Sequence, residues 1–341
     1  MTNDALLAVG LQRLAAQWAP GGGRIHALQR LSGGASQQTW AFDLCDPAGT
    51  MPLILRRAPD GARERSRMTA GLDAEACLLT AARSAGVPVP AVRHVLQPAD
   101  ALGEGFVMER LQGETLGRRI VRDVRFAAAR RQLAHQCGEA LARIHAIPVA
   151  DLPPLRRGGA APEQQLQREL HRGHGTSRPV FELAFQWLRR HAPPEVEPPV
   201  LVHGDFRNGN LMVDETGLVG VLDWELAHLG DPMEDLGWLC VNAWRFGSSE
   251  MPVGGFGRRE DLFAGYEAAG GRVHAERVRY WELLGTLKWG IVCEAMAHAW
   301  LSGVERDVEK AVIGRRASEA EIDLLALLAP RGDVDARPAH G

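Results

Sequence analysis

The chain has 341 residues, 45% apolar and 24% charged, with a formal net charge of −3. Those values are ordinary for a soluble globular protein with room for one large domain or two medium ones. No apolar run approaches the ~20 residues needed to cross a bilayer. Residues 110–199 carry +6 and residues 200–341 carry −9, but no segment has the concentrated basic stripe of a nucleic-acid binder.

Residues 4–18 are spaced as an amphipathic helix that "PGGG" ends, and the start lacks the basic residues and cleavage-like end of a signal peptide. Between about 28 and 56 the pattern turns strand-like, with "ALQRL", "TWAFDL" and "PLILRR" separated by "SGGAS" and "DPAGT". Residues 71–85 read as a helix stopped by "GVPVP", and "GFVMERL" at 105–111 as a buried strand. From 112 onward helices dominate, most clearly over 124–146, where Phe126, Leu133, Cys137, Leu141 and Ile144 fall on helical spacing. Loops are expected at 151–162 and 192–199. Three short strand-like runs follow, "VLV", "LMV" and "LVGVL", then helices at 231–244, roughly 258–269, and 275–300.

The pattern predicts an α+β chain of two lobes with a cleft between them. A helix and linker (1–27) precede a small antiparallel β lobe (28–110). A larger, mainly helical lobe (111–328) follows, and the tail from 329 is expected to be disordered. Cys45, Cys77, Cys137, Cys240 and Cys293 show no CxxC spacing, which suits reduced thiols in a cytoplasm rather than disulfides or a zinc site.

The stretch "HGDFRNGN", residues 203–210, lies between two of the short strands, and "LDWE" follows the third. Asp205, Asn210 and Asp223 thereby fall at consecutive strand ends. Phosphoryl transfer from ATP needs this set of groups. One acid orients the acceptor hydroxyl and takes its proton, while an amide oxygen and a second carboxylate hold Mg²⁺ against the phosphates. A polar turn would account for one of these residues, not for both motifs in order.

"HGDFRNGN" followed by "LDWE" resembles the aminoglycoside phosphotransferase and choline kinase family, whose fold is similar to that of protein kinases. The resemblance spans roughly residues 28 to 300. It implies that Asp205 is the catalytic acid, that Asn210 and Asp223 bind metal, and that His203 and Gly204 shape the loop. It also implies a glycine-rich loop over the nucleotide phosphates at "LSGGAS", with Gly33 and Gly34 close to them and the amides of Ala35 and Ser36 facing them. The hinge that meets adenine falls at Met108, Glu109 and Arg110. The family's phosphate-holding lysine is missing, since no lysine precedes residue 288. Alternation places Arg56 on the face of Ile54 at that position, with Glu75 on the next helix as its partner, and leaves Arg57 as a strand-edge arginine in solvent. An "LRR" here is similar to kinase-like domains that accompany acyl-CoA dehydrogenases, which implies a hydroxy acid or its CoA thioester as acceptor.

Asp231 and Asp235 are expected to buttress the loop or cap the next helix. Glu225 either supports the metal site or is a surface acid. His145 reads as a packed helix-end residue, and His171 and His174 as surface histidines. Lys288 lies on an apolar helical stripe with Trp281, and points into the cleft, where it would suit an anionic acceptor, or toward a partner acid, or else snorkels past the core edge. The expected activity is ATP-dependent phosphorylation of a hydroxyl group on a small molecule, with Mg²⁺ and with neither nucleic acid nor membrane as partner. Three alternatives stand beside it: a cationic acceptor of the aminoglycoside or choline type, a nucleotide-binding module without transfer, and a protein kinase, which HGD in place of HRD disfavours.

Overall fold

The computed structural model describes residues 3–19, 22–31, 37–59, 69–173, 175 and 177–329. The helix α1 (Asn3–Trp18) precedes β1 (Arg24–Leu31), β2 (Gln38–Asp46) and β3 (Gly49–Arg57); α2 (Leu72–Ser84), β4 (Val92–Val95) and β5 (Gly105–Glu109) complete the first lobe. These strands form one antiparallel sheet in the order β1-β2-β3-β5-β4. β1 starts at Arg24, four residues before the boundary expected for the lobe. The β2–β3 turn is closed by Asp46, whose Oδ1 accepts the N–H groups of Ala48 (2.8 Å) and Gly49 (3.0 Å).

Strand alternation gives the sheet two different faces. Trp40, Phe42, Leu44, Leu53, Leu55 and Val107 point one way and pack under α1, which supplies Leu7, Leu11, Leu14 and Ala15 at helical spacing. Ala41, Ile54, Phe106 and Met108 point the other way, toward α2 and the main core. Arg56 lies on that second face. Arg57 lies on the first and is buried, 8% exposed, so the expectation of a strand-edge arginine in solvent is corrected: β3 is an interior strand, and Arg57 is paired with Gln38 on one side and Gly105 on the other.

The second lobe holds α3 (Gly117–Arg122), α4 (Ala127–His145), α5 (Ala160–Gly173) and α6 (Pro179–Arg190). Then come β6 (Val200–Val202), β7 (Leu211–Asp214), β8 (Gly217–Val221) and β9 (His228–Gly230), followed by α7 (Met233–Leu239), α8 (Arg259–Ala268), α9 (Ala275–Leu301), α10 (Val308–Gly314) and α11 (Ala317–Leu328). The polar insert is two small antiparallel sheets, β6 with β9 and β7 with β8. The sequence reading had neither β9 nor β4, because runs of three or four residues carry too little periodicity. The helix expected over 231–244 ends at Leu239 and resumes as a 3-10 turn at Asn242–Trp244. The 27-residue α9 is the axis of the lobe and is buried through most of its middle.

His171 is also corrected. It is buried, and its Nδ1 lies 2.7 Å from Glu294 on α9. His174 and the tail from 330 lie outside the described residues. Among the described residues all five cysteines are free, and no helix is long and apolar enough to cross a membrane.

Candidate active site

A cavity of about 500 Å³ opens between the lobes. Ile54 and Met108 form its upper wall, Met212 and Leu222 its lower wall, and Arg56 and Asp223 its inner end. A slot with apolar faces and one polar end fits a flat base followed by phosphates. Along its edge, the N–H groups of Glu109 and Arg110 are already used, donating to Ala91 O (2.9 Å) and Pro52 O (3.0 Å). Neither is available to adenine, and the Arg110 side chain is held by Asp43 at 2.6 Å. The next residue, Leu111, lines the cavity, and its N–H has no partner among the described residues. It is a backbone donor left open at the cavity's edge. The expected hinge residues Met108, Glu109 and Arg110 line the same cavity, and nothing in "MERL" shows that the strand ladder ends just before Leu111.

Arg56 crosses the inner end of the cavity. Its Nη1 lies 2.8 Å from Glu75 on α2, its Nη2 3.1 Å from Asp223, and its Nε donates to Gln37 at 3.0 Å. Burial pushes the Glu75 carboxyl up to about 7, with Arg56 pulling against it. Gln37 also donates to Glu225 at 3.4 Å, which draws that acid into the same network. Gln37 carried no motif signal. Gly33, Gly34, Ala35 and Ser36 lie outside the described residues.

The loop after β6 is fixed from beneath. Gly204 adopts φ +80°, and a Cβ there would meet Leu226 O at 2.5 Å, so both backbone and space call for glycine. Asp235 accepts the N–H groups of His203 (2.8 Å) and Gly204 (2.9 Å), and it also lies 3.1 Å from His145 Nε2. Burial alone would raise the Asp235 carboxyl, but His145 and the loop amide more than offset it, and its pKa lies below the usual value. His203 has one consistent tautomer. Its Nε2 faces the carbonyl of Leu222 at 3.1 Å, which only accepts, and its Nδ1 faces the N–H of Asp205 at 3.3 Å, which only donates. Burial lowers its pKa against the pull of Asp235 and Asp205, in keeping with a neutral ring. Asp235→Ala should leave the two loop amides and His145 without an acceptor and destabilise the fold by about 3 kcal/mol. Urea unfolding checks this, and a change under about 1 kcal/mol would mean the loop does not depend on Asp235.

Above this base, Asp205 Oδ1 accepts from Arg207 Nε (2.9 Å) and Trp238 Nε1 (2.9 Å), while Oδ2 accepts from Asn210 Nδ2 (2.6 Å). The same Nδ2 contacts the Asp205 carbonyl at 3.0 Å. With its nitrogen tied back, the amide of Asn210 leaves Oδ1 as the atom free for a cation. Leu222 N–H donates to Asn210 O at 2.8 Å, which places Asp223 beside it. Asp223 has φ +63°, a left-handed conformation that Asp tolerates and that turns its carboxylate out of the strand direction. One amide oxygen and one carboxylate, presently balanced by Arg56, fit Mg²⁺, which takes its other oxygens from phosphates and water. Among the described residues no cluster of three or more His, Cys, Asp or Glu side chains forms a protein-only metal cage.

On the far side of Asp205, Arg207 stacks over Trp244 at 4.5 Å, and Asn208 pins the loop by donating to Trp244 O (3.0 Å) and Gly254 O (2.6 Å). The Lys288 ammonium sits 5.2 Å from the ring centre of Trp238 and 3.6 Å from Glu163. Burial lowers its pKa, but Glu163, Glu234 and Asp205 together raise it above the usual value. Trp281, expected at the acceptor, is buried with its indole N–H on Asp231 at 2.7 Å. The indole beside Asp205 is that of Trp238, which the helical stripe around Lys288 could not reveal because it lies on a different helix. Asp231 also caps α7 through the Met233 N–H at 3.0 Å.

The chain is similar in sequence and in fold to known proteins. A model of the phosphotransferase enzyme family matches residues 27–272. Acyl-CoA dehydrogenase family member 10 of Mus musculus is 30% identical over 220 residues, 61% of this chain but 20% of that protein, so the chain spans only a small part of the length of such relatives. The fold is similar to that of a candidate aminoglycoside phosphotransferase from Ralstonia eutropha, with TM-score 0.73, 20% identity and coverage of 94% of this chain and 97% of the other. It is also similar to a thermostable mutant of aminoglycoside phosphotransferase APH(4)-Ia solved in ternary complex with AMP-PNP and hygromycin B, with TM-score 0.57, 17% identity and coverage of 93% and 97%.

Proposed function

Because the chain belongs to the phosphotransferase enzyme family, we propose that it transfers the γ-phosphoryl group of ATP to a hydroxyl group of a small molecule. One observation carries the reading. Asp205, Asn210 and Asp223 are linked on one wall of the cleft, and Arg56 reaches across from the other lobe to Asp223. Adenine occupies the apolar slot with Leu111 N–H at its edge, and Arg56 holds the phosphates in the manner of the missing lysine. Mg²⁺, held by Asn210 and Asp223, supplies positive charge to the phosphates when bound. Asp205 orients the acceptor hydroxyl and receives its proton as the oxygen bonds to the γ-phosphorus and ADP leaves. The part of the loop is to position this acid against the acceptor hydroxyl.

For the acceptor we favour a hydroxylated carboxylic acid or its CoA thioester. Arg207 bonds Asp205, Lys288 lies over Trp238 within the electrostatic reach of Asp205, and Trp238 and Trp244 give the same side an aromatic lining. The mouse relative's name, acyl-CoA dehydrogenase family member 10, points the same way. Glu163 shares the Lys288 ammonium, so Lys288→Met should raise the acceptor's KM by only about 10-fold, the scale of one charge-assisted hydrogen bond, and leave that of ATP unchanged. A cationic acceptor is the second reading, favoured by the −9 balance of residues 200–341. A screen for acceptor-dependent ADP formation over hydroxy acids, their CoA thioesters, choline and aminoglycosides separates the two. Phosphorylation of aminoglycosides alone would replace the first acceptor class. Nucleotide binding with no transfer to any of them would favour a non-transferring binding module.

A further inference from the structure

Asp205 has two carboxylate oxygens, and the structure treats them differently. A carboxylate oxygen accepts about two hydrogen bonds. Oδ1 already has two, from the Arg207 guanidinium and the Trp238 indole, each at 2.9 Å. Among the described residues Oδ2 has one, from Asn210 at 2.6 Å, and so keeps one lone pair open. We infer that Trp238 is a positioning residue for phosphoryl transfer: with Arg207 it fills Oδ1 and so assigns the acceptor's proton to Oδ2. The inference rests on the phosphotransfer reading above and adds to it a residue outside both sequence motifs.

The indole is held so that it can do this. Trp238 is buried on α7, meets Trp244 edge-on at 5.1 Å between ring centres, and lies beneath the Lys288 ammonium. On its remaining side it fits against Gly285 of α9, where an added Cβ would come within 2.9 Å of Trp238 Cε3 and 3.0 Å of Val241 Cγ2. α9 therefore approaches the ring closely because residue 285 is glycine. An indole wedged on several sides has one orientation, and that orientation aims Nε1–H at Asp205. Without this donor, the carboxylate could rotate about its Cβ–Cγ bond and offer either oxygen, and the productive geometry would be populated only part of the time.

Two variants and two readouts test the inference. In ¹H–¹⁵N spectra of the full chain, the indole signal missing from Trp238→Phe identifies Trp238, and that signal should move in Asp205→Asn. With Mg·ATP and water as the acceptor, Trp238→Phe should lower kcat for ADP release by about 10-fold to 100-fold, with the KM for ATP within about twofold of wild type. Gly285→Ala keeps the indole but must displace it, and should give the same kinetic signature together with a shifted indole signal. An indole signal unmoved by Asp205→Asn would overturn the inference, as would unchanged kcat in a folded Trp238→Phe or a parallel rise in the KM for ATP. If Trp238→Phe fails to fold, Gly285→Ala decides by the same criteria. A wild-type chain that releases no ADP with any acceptor would count against phosphotransfer, whereas the spectrum would still decide the hydrogen bond.

Discussion

Asp205→Ala should lower turnover by about 10³-fold, the range for loss of a positioned general base, while nucleotide binding survives. Binding survives because the carboxylate's partners are Arg207, Trp238 and Asn210 rather than any group lining the nucleotide cavity's apolar walls. Asp205→Asn is the sharper variant. It keeps the side chain's shape and can still accept from Arg207 and Trp238 through its oxygen. Its NH₂ group would then face the donor Nδ2 of Asn210 and could not take a proton. Both variants should therefore show the same loss of turnover, and Asp205→Asn should also lose some stability because two NH₂ donors then face each other. Acceptor-dependent ADP release measured beside a nucleotide titration checks this. Near-normal turnover in either variant would remove the kinase assignment, whatever the acceptor.

What was legible in the sequence was the chemistry whose spacing is local. Asp205 and Asn210 share one loop, Asp223 follows one hairpin later, and hydrogen bonds such as Asn210 Nδ2 to Asp205 need only that loop to close. The face of Arg56 was legible too, because alternation along β3 fixes it relative to Ile54. Residues missed by the reading reach the site from a distance or through the absence of a bond. Trp238 meets Asp205 from 33 positions away, and Gln37 meets Glu225 from 188. Leu111 has an open N–H among the described residues because Glu109 and Arg110 have spent theirs on Ala91 and Pro52, a property of the backbone path and not of the residue types. Trp281 and Arg57 show the converse. Each has a partner that local pattern does not show: the Trp281 indole N–H meets Asp231, and Arg57 sits between Gln38 and Gly105 within the sheet. His171 followed the same course toward Glu294.

Arg56→Ala should reduce kcat/KM for ATP by about 10²-fold to 10³-fold, comparable with removing one electrostatic donor to a developing charge. The guanidinium joins three groups, Glu75 at 2.8 Å, Asp223 at 3.1 Å and Gln37 at 3.0 Å. It thus ties α2, the Asp223 carboxylate and Gln37 just before β2 to one point. Its removal leaves Glu75 buried without its cation, and burial then raises that carboxyl further, so the acid turns neutral rather than keeping a charge it cannot pair. Arg56→Lys separates charge from geometry. A single ammonium keeps the charge but lacks the planar fork that meets Glu75 and Asp223 at once, and an intermediate loss of about 10-fold is expected. Full activity in Arg56→Lys would mean that only the charge matters. Arg57→Ala is the control for the strand face. Arg57 is buried away from the cleft, so its loss should lower the melting temperature and leave kcat/KM for ATP within about twofold. If Arg57→Ala abolished turnover in a stable protein while Arg56→Ala did not, the residue that replaces the family's lysine would be the other member of the pair, and β3 would have to be read one residue out of register.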